Sequence, residues 1–582
     1  MCNSGDTNQQ ERLLATVAVN DVRYSLDIFS NIDITGILPE LRHEAARRKL
    51  RLEPAYYSHS DLAARARNNE SLDNDAQSVD GAILICFWLP AFSPLLTDRF
   101  VRHTHQKIEW ELERVKFHCS SLLENLRKIT NRPVLWMMFD APAYPGYGIA
   151  GEGMGQRALV QSLNQHVCSL LEKAGNAWLL DTDRCLERVG YDAYYEPRNR
   201  GCLQAPFGKE GLRAQAEEIV KYLSAWAGKT KKCLVLDCDQ TLWGGVIAED
   251  GLDDIKLGAD YPGAAYREFQ ETVLDLFHRG VILAICSKND REDVDLVFRS
   301  HPAMVIKEEH IACMEVNWDN KASNIAAIAQ TLNIGLDSIV FADDSPFETA
   351  FVKKALPDVE VLQMSVDKPE RNAMLLRRCG LFDTLQVTDE DKQRGAMYRA
   401  EQLRKALRVE VPDIEDYLFN HLKMETDVFP LDEARLERAA QLCQRLNRFN
   451  LTTIRYTQDE LKALKENGCW LRGLHVSDRI GSYGMVGLAI LRVSDDEAVI
   501  DTFLMSCRVL DRKVEDIFLR EIVRELKPRR ILGHYVRTPK NACTADFYLQ
   551  RGFFFLRNEP DGSWFVLEPD DQLSPMEGNK KK

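Results

Sequence analysis

No stretch of the 582 residues is apolar for the length a bilayer requires, and the first twelve, MCNSGDTNQQER, lack the apolar region of a signal peptide. No membrane partner is expected, and the chain reads as cytoplasmic. Positive charge is outweighed, with 75 Lys and Arg against 89 Asp and Glu, a net charge of −14 and a pI near 5.5. Nucleic-acid binders carry a basic footprint, so nucleic acid is excluded as a partner class. The 15 cysteines lack metal-ligand spacing and lie scattered within apolar runs. Reduced thiols are expected, with no disulfide framework.

What is present suffices for about three or four domains, since 45% of residues are hydrophobic and the chain is long enough to bury several cores. Residues 235–245 read VLDCDQTLWGG, an apolar strand ending in Asp237 and Asp239. Carboxylates at i and i+2 leave a strand on the same side, so the pair can converge on one phosphorus and one hard cation. Thr241 and the Gly244-Gly245 pair follow; two glycines there serve either a hinge or a tight turn. Paired carboxylates on a loop are also often solvated or capping groups.

Three later segments each bring a residue type that such a site needs. In VILAICSKND the apolar run Val281 to Cys286 stops at Ser287, whose hydroxyl can donate to a phosphate oxygen. In NWDNKASN, Lys321 stands just ahead of the periodic stretch Ile325 to Leu332 and can neutralise phosphate charge. In SIVFADDSPFE a strand ends at Asp343 and Asp344, and this many hard oxygens suit Mg²⁺. Taken singly, Ser287 is a turn residue, Lys321 a solvated helix-start lysine, and Asp343 to Pro346 a turn and helix N-cap. In order, after successive strands, they resemble the four motifs of the haloacid dehalogenase (HAD) superfamily.

That resemblance implies Asp237 as nucleophile, Asp239 as general acid/base and backbone ligand to Mg²⁺, and Thr241 and Ser287 as phosphate binders. Lys321 would steady charge, and Asp343 would hold Mg²⁺ with Asp344 beside it. The wider strings LVLDCDQTLWGGVIAEDGLDDIKLG, CSKND, NWDNKASNI and FADDSPFE are similar to the FkbH-like branch. Its members prepare glyceryl units on acyl carrier proteins for polyketide-type assembly. The branch implies a small phosphorylated three-carbon substrate, 1,3-bisphosphoglycerate, and a glyceryl thioester on a carrier's phosphopantetheine arm as product.

Loading an acyl group requires attack at carbon rather than phosphorus, and a thiol is the natural intermediary. Cys238, between the two aspartates, is the first candidate for a transient thioester, with Cys286 and Cys233 as rivals. Strict alternation sends Cys238 to the face opposite Asp237 and Asp239, and neighbouring carboxylates raise a thiol's pKa. A buried small apolar residue is thus an equal reading, and direct transfer to the pantetheine thiol needs no enzyme cysteine.

Flanking regions complete the expected architecture: residues 1–12 as a flexible N-terminus, 13–228 as an α/β domain, 229–375 as the catalytic domain, 376–424 as a helical connector, 425–570 as an α+β domain and 571–582 as a disordered tail. The first domain alternates apolar runs (Val22 to Phe29, Ala82 to Leu89, Pro133 to Phe139, Ala177 to Leu180) with helical patterns and resembles the SGNH-hydrolase fold. Ser30 follows its first strand, but no histidine occurs between His166 and His278. A docking or structural role is expected in place of hydrolysis. The glycines 146, 148, 151, 153 and 155 lack the Lys-Ser/Thr of a P-loop and read as a surface loop.

Residues 425–570 show a helix-rich start, strands Leu471 to Val476, Met485 to Val493 and Ala498 to Met505, a helix Val514 to Leu526 and a strand Arg530 to Val536. That order, with RTPKNACTADFYLQRGF, resembles the acetyltransferase (GNAT) fold. An acyl-CoA site there needs backbone amides at a helix N-terminus facing pyrophosphate, and SCRVLDRKVED places Asp511 and Lys513 in that loop. The basic sector of Arg508, Arg512 and Lys513, with Lys527 to Arg530, Arg537 and Lys540, is the expected contact for an acidic carrier protein. The combined expectation is an α/β multidomain enzyme, a Mg²⁺-dependent phosphatase and glyceryltransferase. Alternatives are a simple phosphatase without acyl transfer, or a catalytically silent scaffold that binds carrier proteins.

Overall fold

The computed structural model describes residues 23–68, 70–72, 80–148, 155–199, 204–387, 397–398, 400, 404, 416–446, 448–506, 509–510, 512–538, 541–560, 562–569, 571 and 573. Residues 1–12, most of 376–424 beyond 387, glycines 151 and 153, Arg508, Asp511, Lys540 and nearly all of 571–582 lie outside them. The chain divides into two compact units, Met1–Lys229 and Thr230–Lys582. Among the described residues no helix is long and apolar enough to cross a membrane.

The first unit is built on one parallel sheet in the order β2-β1-β3-β4-β5: β1 (Arg23–Ser30), β2 (Arg51–Ser58), β3 (Asp80–Cys86), β4 (Val134–Met137) and β5 (Ala177–Leu180). Helices cover both faces, so side chains on both sides of a strand are buried: Leu84 joins one core, Ile83 and Ile85 the other. The expected strand Ala82 to Leu89 begins two residues earlier and stops at Cys86. Leu89-Pro90 opens a short helix, Leu89–Phe92, whose first turn loses nothing to a missing proline N–H.

The second unit holds two sheets. One is parallel, in the order β10-β9-β6-β7-β8, from β6 (Cys233–Leu236), β7 (Ile282–Ser287), β8 (Ile311–Val316), β9 (Ile339–Asp343) and β10 (Glu360–Gln363). Leu234 and Leu236 enter one core, Cys233 and Val235 the other. The central strand β6 lies between β7 and β9, so their carboxyl ends emerge side by side. Ligands of open parallel sheets bind at that edge.

The other sheet has the order β11-β12-β13-β14-β15-β17-β16: β11 (Glu425–Pro430), β12 (Trp470–Asp478), β13 (Gly481–Val493), β14 (Glu497–Met505), β15 (Arg530–Tyr535), β16 (Phe554–Glu559) and β17 (Gly562–Leu567). The helix-rich start expected at 425 is preceded by the edge strand β11, which ends in Pro430, a position an edge tolerates. Only β14 and β15 pair in parallel, over Glu497–Ile500 and Arg530–Gly533. Beyond that the chain itself fills the seam. Leu451 N–H donates to Phe503 C=O (3.1 Å), and Leu451 C=O accepts from Val536 N–H (2.7 Å). Asn541, fully buried, clasps the inserted segment by donating to Asn450 C=O (2.9 Å).

Candidate active site

Four strand and helix ends meet at the carboxyl edge of β6. Asp237 follows β6 directly, its amide donating to Ala342 C=O (3.0 Å), while Asp343 ends β9 and Ser287 ends β7. Lys321 opens the helix Lys321–Leu332, whose N-cap Asn320 accepts from Ser323 N–H (2.8 Å). That helix start aims the ammonium inward. Lys321 is only 3% exposed, and its Nζ ion-pairs with Asp237 Oδ2 (3.0 Å) and with Asp343 Oδ2. The solvated helix-start lysine is therefore excluded.

Carboxylate oxygens of Asp237, Asp343 and Asp344 all lie within 4.8 Å of one another. One ammonium thus faces three acids. Burial pulls the lysine's pKa down, but the charges of Asp237 and Asp343 outweigh it and hold Lys321 above its ordinary value. Burial and then the charge of Asp237 push Asp343 up, and the same two causes push Asp344 up to about 6. The excess of hard, negative oxygens fits a divalent cation such as Mg²⁺. Asp343 also organises the turn, accepting from Ser345 N–H (2.8 Å), and Ser345 N-caps the helix Pro346–Ala355. The turn and cap are present, and both acids of the segment lie in the carboxylate cluster.

Asp239 stands apart from that cluster. Its Oδ1 accepts from Trp243 Nε1 (2.8 Å) and Ile247 N–H (3.2 Å), and its Oδ2 from Asn289 Nδ2 (2.9 Å). Burial raises its pKa against the pull of Asn289, Ile247 and Trp243. Ser287 is 1% exposed, with Asn289 Nδ2 at 3.4 Å from its hydroxyl. The Thr241 hydroxyl is fully buried and has no hydrogen-bond partner among the described residues. A buried hydroxyl without a partner is costly unless something else supplies one, and a phosphate oxygen would.

Cys238 lies on the other side of the strand. It is fully buried in the core that holds Leu234, Leu236, Leu242 and Trp243. Burial and then Asp237 hold its thiol well above the ordinary value, with a hydrogen bond from Ser287 acting weakly against them. A neutral thiol packed among leucines lacks the thiolate character that nucleophilic attack needs. Cys286 and Cys233, its rivals, are equally buried, and burial drives both pKa values up.

The glycine pair makes a turn. Gly245 has φ +96°, and a Cβ on Gly244 would meet the Tyr266 ring at 2.7 Å. Of the expected carrier contacts, Arg508 lies outside the described residues. Arg512 donates to Tyr483 Oη and stacks on its ring at 5.1 Å. Lys513 takes the left-handed conformation (φ 58°) just before the helix Val514–Leu526. Sequence reasoning gave no role to Trp243 or Asn289, although both stood inside quoted motifs.

No family model and no curated protein matches the chain. Among solved structures it is similar to the N-terminal part of the protein BF1531 from Bacteroides fragilis, which contains a phosphatase domain complexed with Mg. Identity is 23% over 65% of this chain and 99% of that chain, with a TM-score of 0.54. It also matches the ribosomal-protein-S18-alanine N-acetyltransferase of Escherichia coli (15% identity, 27% of this chain and 99% of that one, TM-score 0.20). A third match is the paia N-acetyltransferase of Thermoplasma acidophilum in complex with coenzyme A (13%, 25% and 99%, TM-score 0.20). By fold the chain is a mixed α/β protein with two parallel five-stranded sheets and a C-terminal, mostly antiparallel seven-stranded sheet, and it shares a fold with the phosphatase-domain structure.

Proposed function

We propose that the chain is a Mg²⁺-dependent phosphatase and glyceryltransferase that acts on 1,3-bisphosphoglycerate and leaves a glyceryl thioester on an acyl carrier protein. The observation that carries this is the cluster of Asp237, Asp343 and Asp344 at Lys321, with the Thr241 hydroxyl, four residues after Asp237, buried and unpartnered among the described residues. Asp237 attacks phosphorus through a carboxylate oxygen, and Asp239 gives its proton to the departing oxygen. Water then cleaves the aspartyl phosphate, with Asp239 accepting the proton. Lys321, Ser287 and Thr241 hold the phosphoryl oxygens. Asp237, Asp343, Asp344 and the Asp239 carbonyl would hold Mg²⁺, which supplies charge neutralisation at the phosphoryl group.

Transfer follows a different bond. The pantetheine sulfur attacks the acyl-phosphate carbonyl carbon, a C–S bond forms, the C–O bond to phosphate breaks, and the thiol proton leaves with phosphate. The burial of Cys238 favours this direct route over an enzyme thioester. Arg512 and Lys513 would border the proposed carrier contact, and the fold likeness to a Mg-complexed phosphatase domain supports the metal.

The test is to incubate the protein with 1,3-bisphosphoglycerate, Mg²⁺ and a pantetheinylated carrier protein, and weigh both proteins intact. A glyceryl mass on the carrier is expected. Phosphate release without that mass would reduce the activity to a phosphatase, and neither would leave a scaffold.

A further inference from the structure

Asp239, outside the carboxylate cluster, is the acid of the site whose orientation is most completely specified. Its Oδ1 receives two donors, Trp243 Nε1 at 2.8 Å and Ile247 N–H at 3.2 Å. Its Oδ2 receives one, Asn289 Nδ2 at 2.9 Å. A carboxylate oxygen offers about two lone-pair sites, so Oδ1 is filled and Oδ2 keeps one free.

Both side-chain donors are buried and held by neighbouring contacts. Trp243 is fully buried, its ring 6.5 Å from that of Phe298, and the turn that carries it is pinned by Gln270 Nε2 donating to Leu242 C=O (2.7 Å). Asn289 is 2% exposed and reaches both Asp239 and the Ser287 hydroxyl. One donor comes from the loop after β6, one from the start of the helix Ile247–Asp254, one from the loop after β7.

We infer that Trp243 and Asn289 are positioning residues that turn the Asp239 carboxyl so that Oδ2 alone exchanges a proton with the leaving group. The inference rests on the proposed phosphatase chemistry and deepens it. Loss of the indole N–H leaves Oδ1 held by the Ile247 N–H alone, with one acceptor site open on each oxygen, and the carboxyl no longer distinguishes the oxygen that faces substrate. The competing explanation is that a buried indole N–H needs any acceptor, in which case its loss affects stability without regard to the leaving group.

The leaving group separates the two. Phenyl phosphate and 4-nitrophenyl phosphate share a shape, but phenolate needs protonation on departure and nitrophenolate needs far less. Full-length wild type, Trp243→Phe and Asn289→Ser are compared with Mg²⁺ on both esters. Each variant is expected to lose roughly 10- to 100-fold in kcat on phenyl phosphate, and less than about threefold on the nitrophenyl ester, with KM within about twofold on both. Equal losses on the two esters, or none, would overturn the positioning role. Asn289→Ser decides the matter alone should the phenylalanine variant fail to fold. Wild type that cleaves neither ester would instead overturn the phosphatase reading and this inference with it.

Discussion

Two parallel five-stranded sheets in this chain carry polar residues at or just beyond the carboxyl ends of inner strands, and they treat them in opposite ways. In the first unit Asp140 lies beyond β4, where Tyr195 Oη (2.6 Å) and Thr182 Oγ1 (2.7 Å) donate to its two oxygens. Ser30, at the end of β1, is 1% exposed, accepts from Ile32 N–H (3.2 Å) and hydrogen-bonds the Cys86 thiol. Donor and acceptor are matched one to one. In the second unit Asp237 and Asp343 share a single ammonium, Asp344 adds a third carboxylate within 4.8 Å of both, and Thr241 has no partner among the described residues. A self-satisfied polar edge serves stability; an edge with surplus charge and an idle hydroxyl is arranged for something that arrives.

The largest effect that would break this contrast is on chemistry. Asp237→Asn should lower phosphate release by roughly a thousandfold or more, and retained turnover would remove Asp237 as nucleophile. Next comes Lys321→Ala, which leaves buried carboxylates unpaired. It should destabilise the second unit by about 3–5 kcal/mol, with added Mg²⁺ recovering part of that loss in thermal melts. A melt unchanged by the substitution would show that Lys321 does not hold the acids together.

The first unit sharpens the comparison through pH. Burial pushes Asp140 up to about 6, against the pull of its Tyr195 and Thr182 bonds. The folded form then binds the proton more tightly than the unfolded chain, so this contribution is full below about pH 4 and is lost as pH rises through 6. The expected slope amounts to about 3 kcal/mol across that window. Asp140→Asn should flatten it in denaturant titrations of the first unit and leave phosphate release unchanged. The smallest effect is that of Cys238→Ala: about 1 kcal/mol from the lost packing, with carrier loading within about twofold. Loss of loading with phosphate release intact would return the thiol to the reaction.

Much of the site could be read before folding because residue type changes abruptly where apolar runs stop. Asp237, Ser287 and Asp343 each terminate such a run, and strand alternation put Cys238 with Leu234 and Leu236, where it lies. The burial of Lys321 was not legible, since a lysine at a helix start normally faces water and only the neighbouring ends of β6 and β9 enclose this one. Nor was the part played by Trp243. It sits in a turn, where no period tells which way an indole points, and its partner is a carboxylate four positions back. The edge strand β11 escaped because TDVFP is short and ends in proline. The segment that fills the seam between β14 and β15 left no pattern, because its hydrogen bonds run to chain segments distant in sequence.

The separation of the pocket's members along the chain has a kinetic consequence. Asn289 reaches Asp239 across 50 positions, and Lys321 reaches Asp343 across 22. The bonds of Trp243 and Ile247 to Asp239 are local, but those that join one segment of the site to another span separations of this kind. Loop closures of this length precede the contacts between segments, so the proposed activity should appear only when β6 is flanked on both sides. In refolding, recovery of the proposed turnover should trail recovery of helical signal, making that reaction a clock for completion of the sheet.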